Sequence, residues 1–241
     1  MTPIRLLLVS CCLLGVVEVI VAVSHTSAFT VARLQDTPAP ADKLVYADFE
    51  NKIDNRPVSS RGGQVSMFGY EENAAIKAVF KGSKDNPSVP DVVRTSKDNN
   101  NMALAFDYQL VGPNNWAGVT VEIHGQPNKD GKTVSDDVSG YKYLTLQAYA
   151  TGVTSLKVEF VSKGQGILIS NGNPEMNFKI SPGFNTYKIP LKSVTQPPYG
   201  EPRVSIKEVL KKLTSVNISA TCGPCTPISG TVVIDNLVFQ N

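Results

Sequence analysis

The chain has little of what catalytic sites are usually built from. Among its 241 residues there are two histidines, one tryptophan and four cysteines. A tetrahedral zinc site needs four ligands, and past the N-terminal segment only His124 remains, so zinc chemistry is not expected. There is no glycine-rich phosphate loop, no nucleophile elbow and no metal-hydrolase histidine pair, which sets aside the common nucleotide-, ester- and peptide-cleaving classes. Charge of one sign is also missing: 23 Lys and Arg stand against 21 Asp and Glu, a net of +2. The basic residues are dispersed, so no nucleic-acid footprint is present. No internal repeat occurs, and helices do not alternate with strands. Glycosidase chemistry needs two carboxylates across a cleft; Glu122 and Glu159 could sit on one face, but nothing in the sequence sets their separation. The expectation is a protein that is not an enzyme.

Long apolar runs are scarce too, with one exception at the start. Arg5 precedes residues 6–23, an apolar stretch broken by short polar residues and Glu18, and small residues follow at 22–24 and 26–28. That order is an export signal, taken here as residues 1–28, and it places the protein in a secreted, periplasmic or cell-envelope setting. The run is long enough to keep an uncleaved anchor open as the alternative, the one membrane link expected. Glu18 argues against stable spanning, because a carboxylate at a helix centre costs about 3 kcal/mol on insertion scales. Leu8-Val9-Ser10-Cys11 resembles a lipoprotein box but sits too early in the chain. Residues 29–43, with Pro38 and Pro40, read as a linker, and 44–241 as one domain.

The domain is strand after strand. Residues 141–150 sort at period two into Leu144, Leu146 and Ala148 on one face and Tyr143, Thr145, Gln147 and Tyr149 on the other. Leu156, Val158 and Phe160 repeat the pattern, as do Leu104, Phe106 and Tyr108, and Val119, Val121 and Ile123. Further short strands are read at 44–50, 64–68, 75–80, 164–169, 177–180, 185–191, 214–220 and 231–239, with 81–100 as a long polar loop. Ser205 and Glu208 form a capping box opening one short amphipathic helix of about two turns, its apolar side Ile206, Val209, Leu210 and Leu213. The fold class is all-β, an antiparallel jelly-roll sandwich with one short helix before the last strands.

An ordered set of motifs points to a family. Asp48-Phe49-Glu50-Asn51 opens it, followed by Asn115-Trp116-Ala117-Gly118-Val119 and Asp137-Val138-Ser139-Gly140-Tyr141. Then come residues 184–191, Gln196-Pro197-Pro198-Tyr199-Gly200, and residues 230–237. Together they resemble the galactose-binding-like jelly rolls, especially family 11 carbohydrate-binding modules and the complex I intermediate-associated protein 30 domain. The resemblance implies that the first and last strands pair, so that Asp48, Glu50 and Asp235 converge. Oxygen donors gathered this way suit a structural Ca²⁺, with solvated strand-end charges as the plain alternative.

The resemblance implies a poly- or oligosaccharide partner. If the apolar sets face the core, the opposite faces carry Asp107, Glu122, His124, Tyr143, Gln147, Tyr149, Lys157 and Glu159. Aromatic faces cover sugar C–H patches while carboxylates, amides and cations bond hydroxyls. The same residues also make an ordinary wet sheet face. Trp116 reads as a packing anchor beside Gly118. The second functional reading is an envelope protein-interaction or assembly domain of the intermediate-associated type. Cys222-Gly223-Pro224-Cys225 matches the thioredoxin tetrapeptide but lacks a βαβ context, so a structural disulfide between Cys222 and Cys225 is expected in an exported chain. Asn217-Ile218-Ser219 is a glycosylation sequon lying in an apparent strand.

Overall fold

The structure, a computed structural model, describes residues 41–70, 79–82, 89–95, 100–112, 114–125, 134–167, 169–222 and 227–241. The proposed signal and nearly all of the linker lie outside these residues. No helix among the described residues is long and apolar enough to cross a membrane.

Period-two sequence produces strands because alternate side chains reach the core from one face of the pleat. In chain order they are β1 (Lys43–Ala47), β2 (Lys52–Ile53), β3 (Arg56–Pro57), β4 (Val65–Tyr70) and β5 (Val79–Lys81). β6 (Asp91–Arg94), β7 (Met102–Leu110), β8 (Trp116–Glu122), β9 (Tyr143–Ala150) and β10 (Ser155–Val161) follow. The last are β11 (Glu175–Lys179), β12 (Asn185–Pro190), β13 (Ser215–Thr221) and β14 (Ile228–Gln240), with helix α1 (Ile206–Leu210) before β13. One sheet has the order β12-β9-β14-β7-β5, with β1 joined to β14 and β6 to β7; the other runs β11-β10-β13-β8-β4. Every pairing is antiparallel. Leu144, Leu146 and Ala148 of β9 and Leu156, Val158 and Phe160 of β10 are fully buried in one core with Val119, Val121, Ile218 and Ile234. This is the jelly-roll sandwich that the alternation implied.

The helix is held as the capping box requires. Ser205 Oγ accepts from Glu208 N, and Glu208 Oε2 accepts from Ser205 N at 2.8 Å. It is shorter than expected, five residues, and buries Val209 and Leu210.

Several expectations are corrected. The polar stretch 81–100 contains β6, whose Val92 and Val93 pair with Leu104 and Ala103 of β7. Residues 164–167 and 169 are turns and irregular chain, with Gly164 and Gly166 at φ 70° and 77°, outside the range of a strand. β1 ends at Ala47, so Asp48 and Glu50 are not strand neighbours; they flank Phe49, which is buried in the left-handed region at φ 54°. β14 carries a bulge between Asp235 and Val238 with Asn236 at φ 51°. A bulge adds one residue to one strand and reverses its alternation. Val232 and Ile234 therefore point inward before it, and Leu237 and Phe239 after it.

Candidate functional site

A groove of about 790 Å³ lies on the outer face of the five-stranded sheet. Its floor comes from the cross-strand register. Lys157 and Glu159 of β10 stand opposite Asn177 and Glu175 of β11, and on the other side opposite Ser219 and Asn217 of β13. Thr221 of β13 then faces Trp116 of β8. Polar residues collect here because the alternate positions of β10 and β13, Leu156, Val158, Val216 and Ile218, are committed to the core.

The floor is electrostatically tight. Lys157 Nζ lies 3.0 Å from Glu175 Oε2 and 3.7 Å from Glu159 Oε1. Asn217 Nδ2 donates to Glu159 Oε2 at 3.4 Å. Burial lowers the Lys157 pKa, but Glu159 and Glu175 outweigh it and hold it above the ordinary value. Burial raises the Glu159 carboxyl, with Glu175 adding to the rise and Lys157 opposing it. Two carboxylates thus flank one ammonium on this floor. Asn217 Oδ1 and Ser219 Oγ are buried without hydrogen-bond partners. Buried polar atoms of this kind weaken a fold.

The aromatic parts are Trp116 and Tyr199. Trp116 packs edge-on against Phe68, with ring centroids 4.9 Å apart, and Lys157 Nζ stands 5.6 Å from its centroid. It is thus the packing anchor anticipated, and it also forms one wall of the groove. Tyr199 is 58% exposed at the groove's other side. Its loop is pinned from two directions. Arg203 donates to Pro197 O at 2.7 Å and to Pro198 O, while Glu201 N and Asn171 O bond at 2.9 Å. Gly172 permits this contact: at φ 69°, a Cβ there would come within 2.8 Å of Gly200 Cα and Pro197 Cγ and 3.1 Å of Tyr199 Cε2.

The eight sequence candidates do not share one face. Lys157 and Glu159 form the groove floor. Glu122 ends β8 of the same sheet and His124 lies just past it, both outside the groove; burial raises the Glu122 carboxyl against the pull of Lys163. His124 Nε2 is 3.0 Å from Asp136 Oδ1, and Asp136 also pairs with Arg61. Arg61 and His124 line a larger hollow of about 940 Å³ beside β4, together with Asp54 and Arg56. Tyr143, Gln147, Tyr149 and Asp107 lie on the seven-stranded sheet, on the opposite side of the sandwich. There Tyr143 carries Lys188 Nζ 3.7 Å from its ring centroid. Gln147 Oε1 accepts from Asn236 at 3.2 Å, and Asp107 Oδ1 accepts from Thr231 Oγ1 at 2.6 Å. Period two separates inward from outward and says nothing of which sheet a strand joins. Glu175, Asn177 and Tyr199 were not among the candidates; Tyr199 had a signal in the Pro-Pro-Tyr-Gly motif.

Asp235, fully buried, is the centre of the proposed calcium cluster. Asn101 Nδ2 donates to its Oδ2 at 2.7 Å, Asn236 Nδ2 to the same oxygen at 2.9 Å, and Asn236 N to Oδ1 at 2.7 Å. Burial raises its pKa to about 6; the hydrogen bonds from Asn101 and Asn236 oppose the rise, and the charges of Glu50 and Asp48 reinforce it. Glu50 Oε1 accepts from Met102 N at 2.8 Å, which ties it to β7. The three carboxylates therefore feel one another, as a cation site requires. Both Asp235 oxygens are taken by protein donors, and no group of three His, Cys, Asp or Glu among the described residues is placed to ligate a metal. Cys222 lines the groove, and Cys225 lies outside the described residues, as does the pairing of the two. Asn217 of the sequon sits in the central strand β13, directed at Glu159.

No family model matches the chain, and no curated protein matches it in sequence. Among solved structures, it is similar to the family 11 carbohydrate-binding module of the cellulosomal cellulase Lic26A-Cel5E of Clostridium thermocellum. That match has 12% identity and a TM-score of 0.53, and covers 84% of this chain and 96% of the module. A family 11 module from Clostridium thermocellum in complex with a β-1,3-1,4-mixed-linked tetrasaccharide is similar at 13% identity and TM-score 0.52, covering 84% of this chain and 97% of that one. At these identities the likeness establishes the jelly-roll fold.

Proposed function

We propose that the chain is an exported, non-catalytic carbohydrate-binding domain that takes a neutral poly- or oligosaccharide in the groove of the five-stranded sheet. The observation carrying this reading is Tyr199, an exposed ring pinned over a floor of Lys157, Glu159, Glu175 and Asn177. A ring of that kind covers a sugar C–H face, while a carboxylate–ammonium–amide floor offers both donors and acceptors to hydroxyls. The two carboxylates of the floor disfavour uronic acids there. A family 11 module of the same fold binds a mixed-linked tetrasaccharide, which makes mixed-linkage β-glucan the first ligand to try. Affinity electrophoresis of the whole chain in gels containing that glucan is the test. Retardation is expected, and Tyr199→Ala should weaken it about tenfold, the loss of roughly one stacked ring. A wild-type chain that no neutral β-glucan, mannan or galactan retards would overturn the reading.

Two accessory features belong to the same proposal. Cys222 and Cys225 form a disulfide closing the turn between β13 and β14. Calcium binds by drawing Asp48, Glu50 and Asp235 into a ligand set. Calcium should then raise the melting temperature and chelator lower it, by linkage of binding to folding. An unchanged melting curve would leave these carboxylates without a metal role.

A further inference from the structure

On the side of the sandwich away from the groove, the start of β9, the end of β12 and helix α1 enclose a hollow of about 320 Å³. Tyr143, Leu191 and Ile206 give it an aromatic and apolar floor, and Lys142, Lys192 and Lys207 stand around it. Lys188 joins this set through its place over the Tyr143 ring at 3.7 Å. The ion pairs among the described residues link Arg61 and His124 to Asp136, and Lys157 to Glu159 and Glu175; none involves these four lysines.

The acids next to the hollow in sequence are engaged elsewhere. Glu208 Oε2 accepts from both the amide and the hydroxyl of Ser205 at 2.8 Å. Asp137 Oδ1 accepts from Ser139 N and Oγ at 2.9 and 2.7 Å. Four lysines are thus gathered in a chain whose net charge is only +2, none of them in an ion pair among the described residues. Like charges so placed repel, and an anionic ligand removes the repulsion.

We propose that this hollow is a second binding site, specific for an anionic sugar residue bearing a carboxylate or a sulfate. The floor takes the ring's C–H face, and the lysines take the charged group. Its volume is at the low end of ligand pockets, about 300–1,000 Å³, and so admits one ring and not a chain. Lysine ammonium groups act as point charges without the planar fork of arginine, so they select charge over the shape of the anion. Carboxylate and sulfate are therefore both accepted. The site recovers a role for Tyr143, on a face and for a ligand different from those of the groove.

The test uses the whole chain in affinity gels containing polygalacturonate or dextran sulfate, with neutral dextran as blank. Both acidic polymers should retard the wild type, and the two gels show which anion is preferred. The triple variant Lys142→Gln, Lys192→Gln, Lys207→Gln should bind about tenfold more weakly. A charge-matched control removing Lys52, Lys163 and Lys179, also as Gln, should lose no more than about twofold. Tyr199→Ala should bind acidic polymers normally, which separates this site from the groove: neutral-glucan binding can fail while this binding stands. Equal weakening in the two triple variants would reduce the effect to general surface charge and overturn the site. So would unchanged retardation of the hollow variant at an unaltered melting temperature. Failure of both polymers, with hollow-dependent sedimentation on phosphatidylserine vesicles, would reassign the hollow to a lipid surface and also overturn it.

Discussion

Asp235 shows what one residue does when its burial outruns its hydrogen bonding. Three N–H donors reach its oxygens, yet its pKa is pushed up to about 6 from 3.8. The folded state therefore holds its proton more tightly than the unfolded chain does. Below about pH 3.8 both states are protonated and there is no penalty; as pH rises towards 6 the unfolded state ionises first, and stability falls. Two pKa units correspond to about 3 kcal/mol at most. Thermal unfolding followed from pH 4 to pH 7 should show this decline in the wild type, and Asp235→Asn should flatten it. An identical pH slope in the variant would mean that Asp235 does not carry the effect. Its conjunction with Asp48 and Glu50 was legible from the order of motifs. The two left-handed residues that create it, Phe49 and Asn236, were not, because Phe49 does not favour that region and Asn236, which does, is surrounded by strand residues.

Among the elements, the strands with clean alternation were the ones the sequence described well. β9 and β10 each place three apolar side chains in the core and polar ones outside. β14 defeats a single alternation because its bulge shifts the inward set from even to odd positions. β6 hides in a polar stretch because its partner β7 supplies the hydrogen bonds that local propensity does not announce. The apolar residues 167–169 resemble a strand, yet positive-φ glycines precede them at 164 and 166 and the chain turns. Two substitutions probe element ends. Ser205→Ala removes a cap whose hydroxyl and backbone both bond Glu208, and should cost about 1 kcal/mol in denaturant unfolding. Gly172→Ala forces a Cβ against Gly200, Pro197 and Tyr199. Because the strain falls on two loops outside the sandwich core, glucan binding should drop several-fold while the melting temperature moves by only a few degrees. A variant that binds normally would mean that the position of Tyr199 does not depend on this contact.

At the scale of the whole molecule, two sheets back to back mean two outer faces of different chemistry. The sequence showed which residues face outward and left open how they divide, since strands adjacent in sequence, such as β9 and β10, join different sheets. This is why the eight candidate residues divide between the two sheets, with Lys157 and Glu159 in the groove floor and Tyr143 in the lysine-rimmed hollow. The two ligands proposed for these faces should bind without competition: saturation with neutral glucan should leave the apparent affinity for polygalacturonate unchanged in a gel containing both. Mutual exclusion would mean that the two share a site. The pairing of β1 with β14 has one more consequence, a mechanical one. Lys43 lies opposite Gln240, and Asn241 N bonds to Asp42 O at 3.3 Å. A pull applied between residues 42 and 241 would load these ladder hydrogen bonds one after another, as a zipper is loaded, instead of sharing the force among them in shear. The domain would yield from that corner first, at low force, with β1 peeling away while the sheet bearing the groove stays whole.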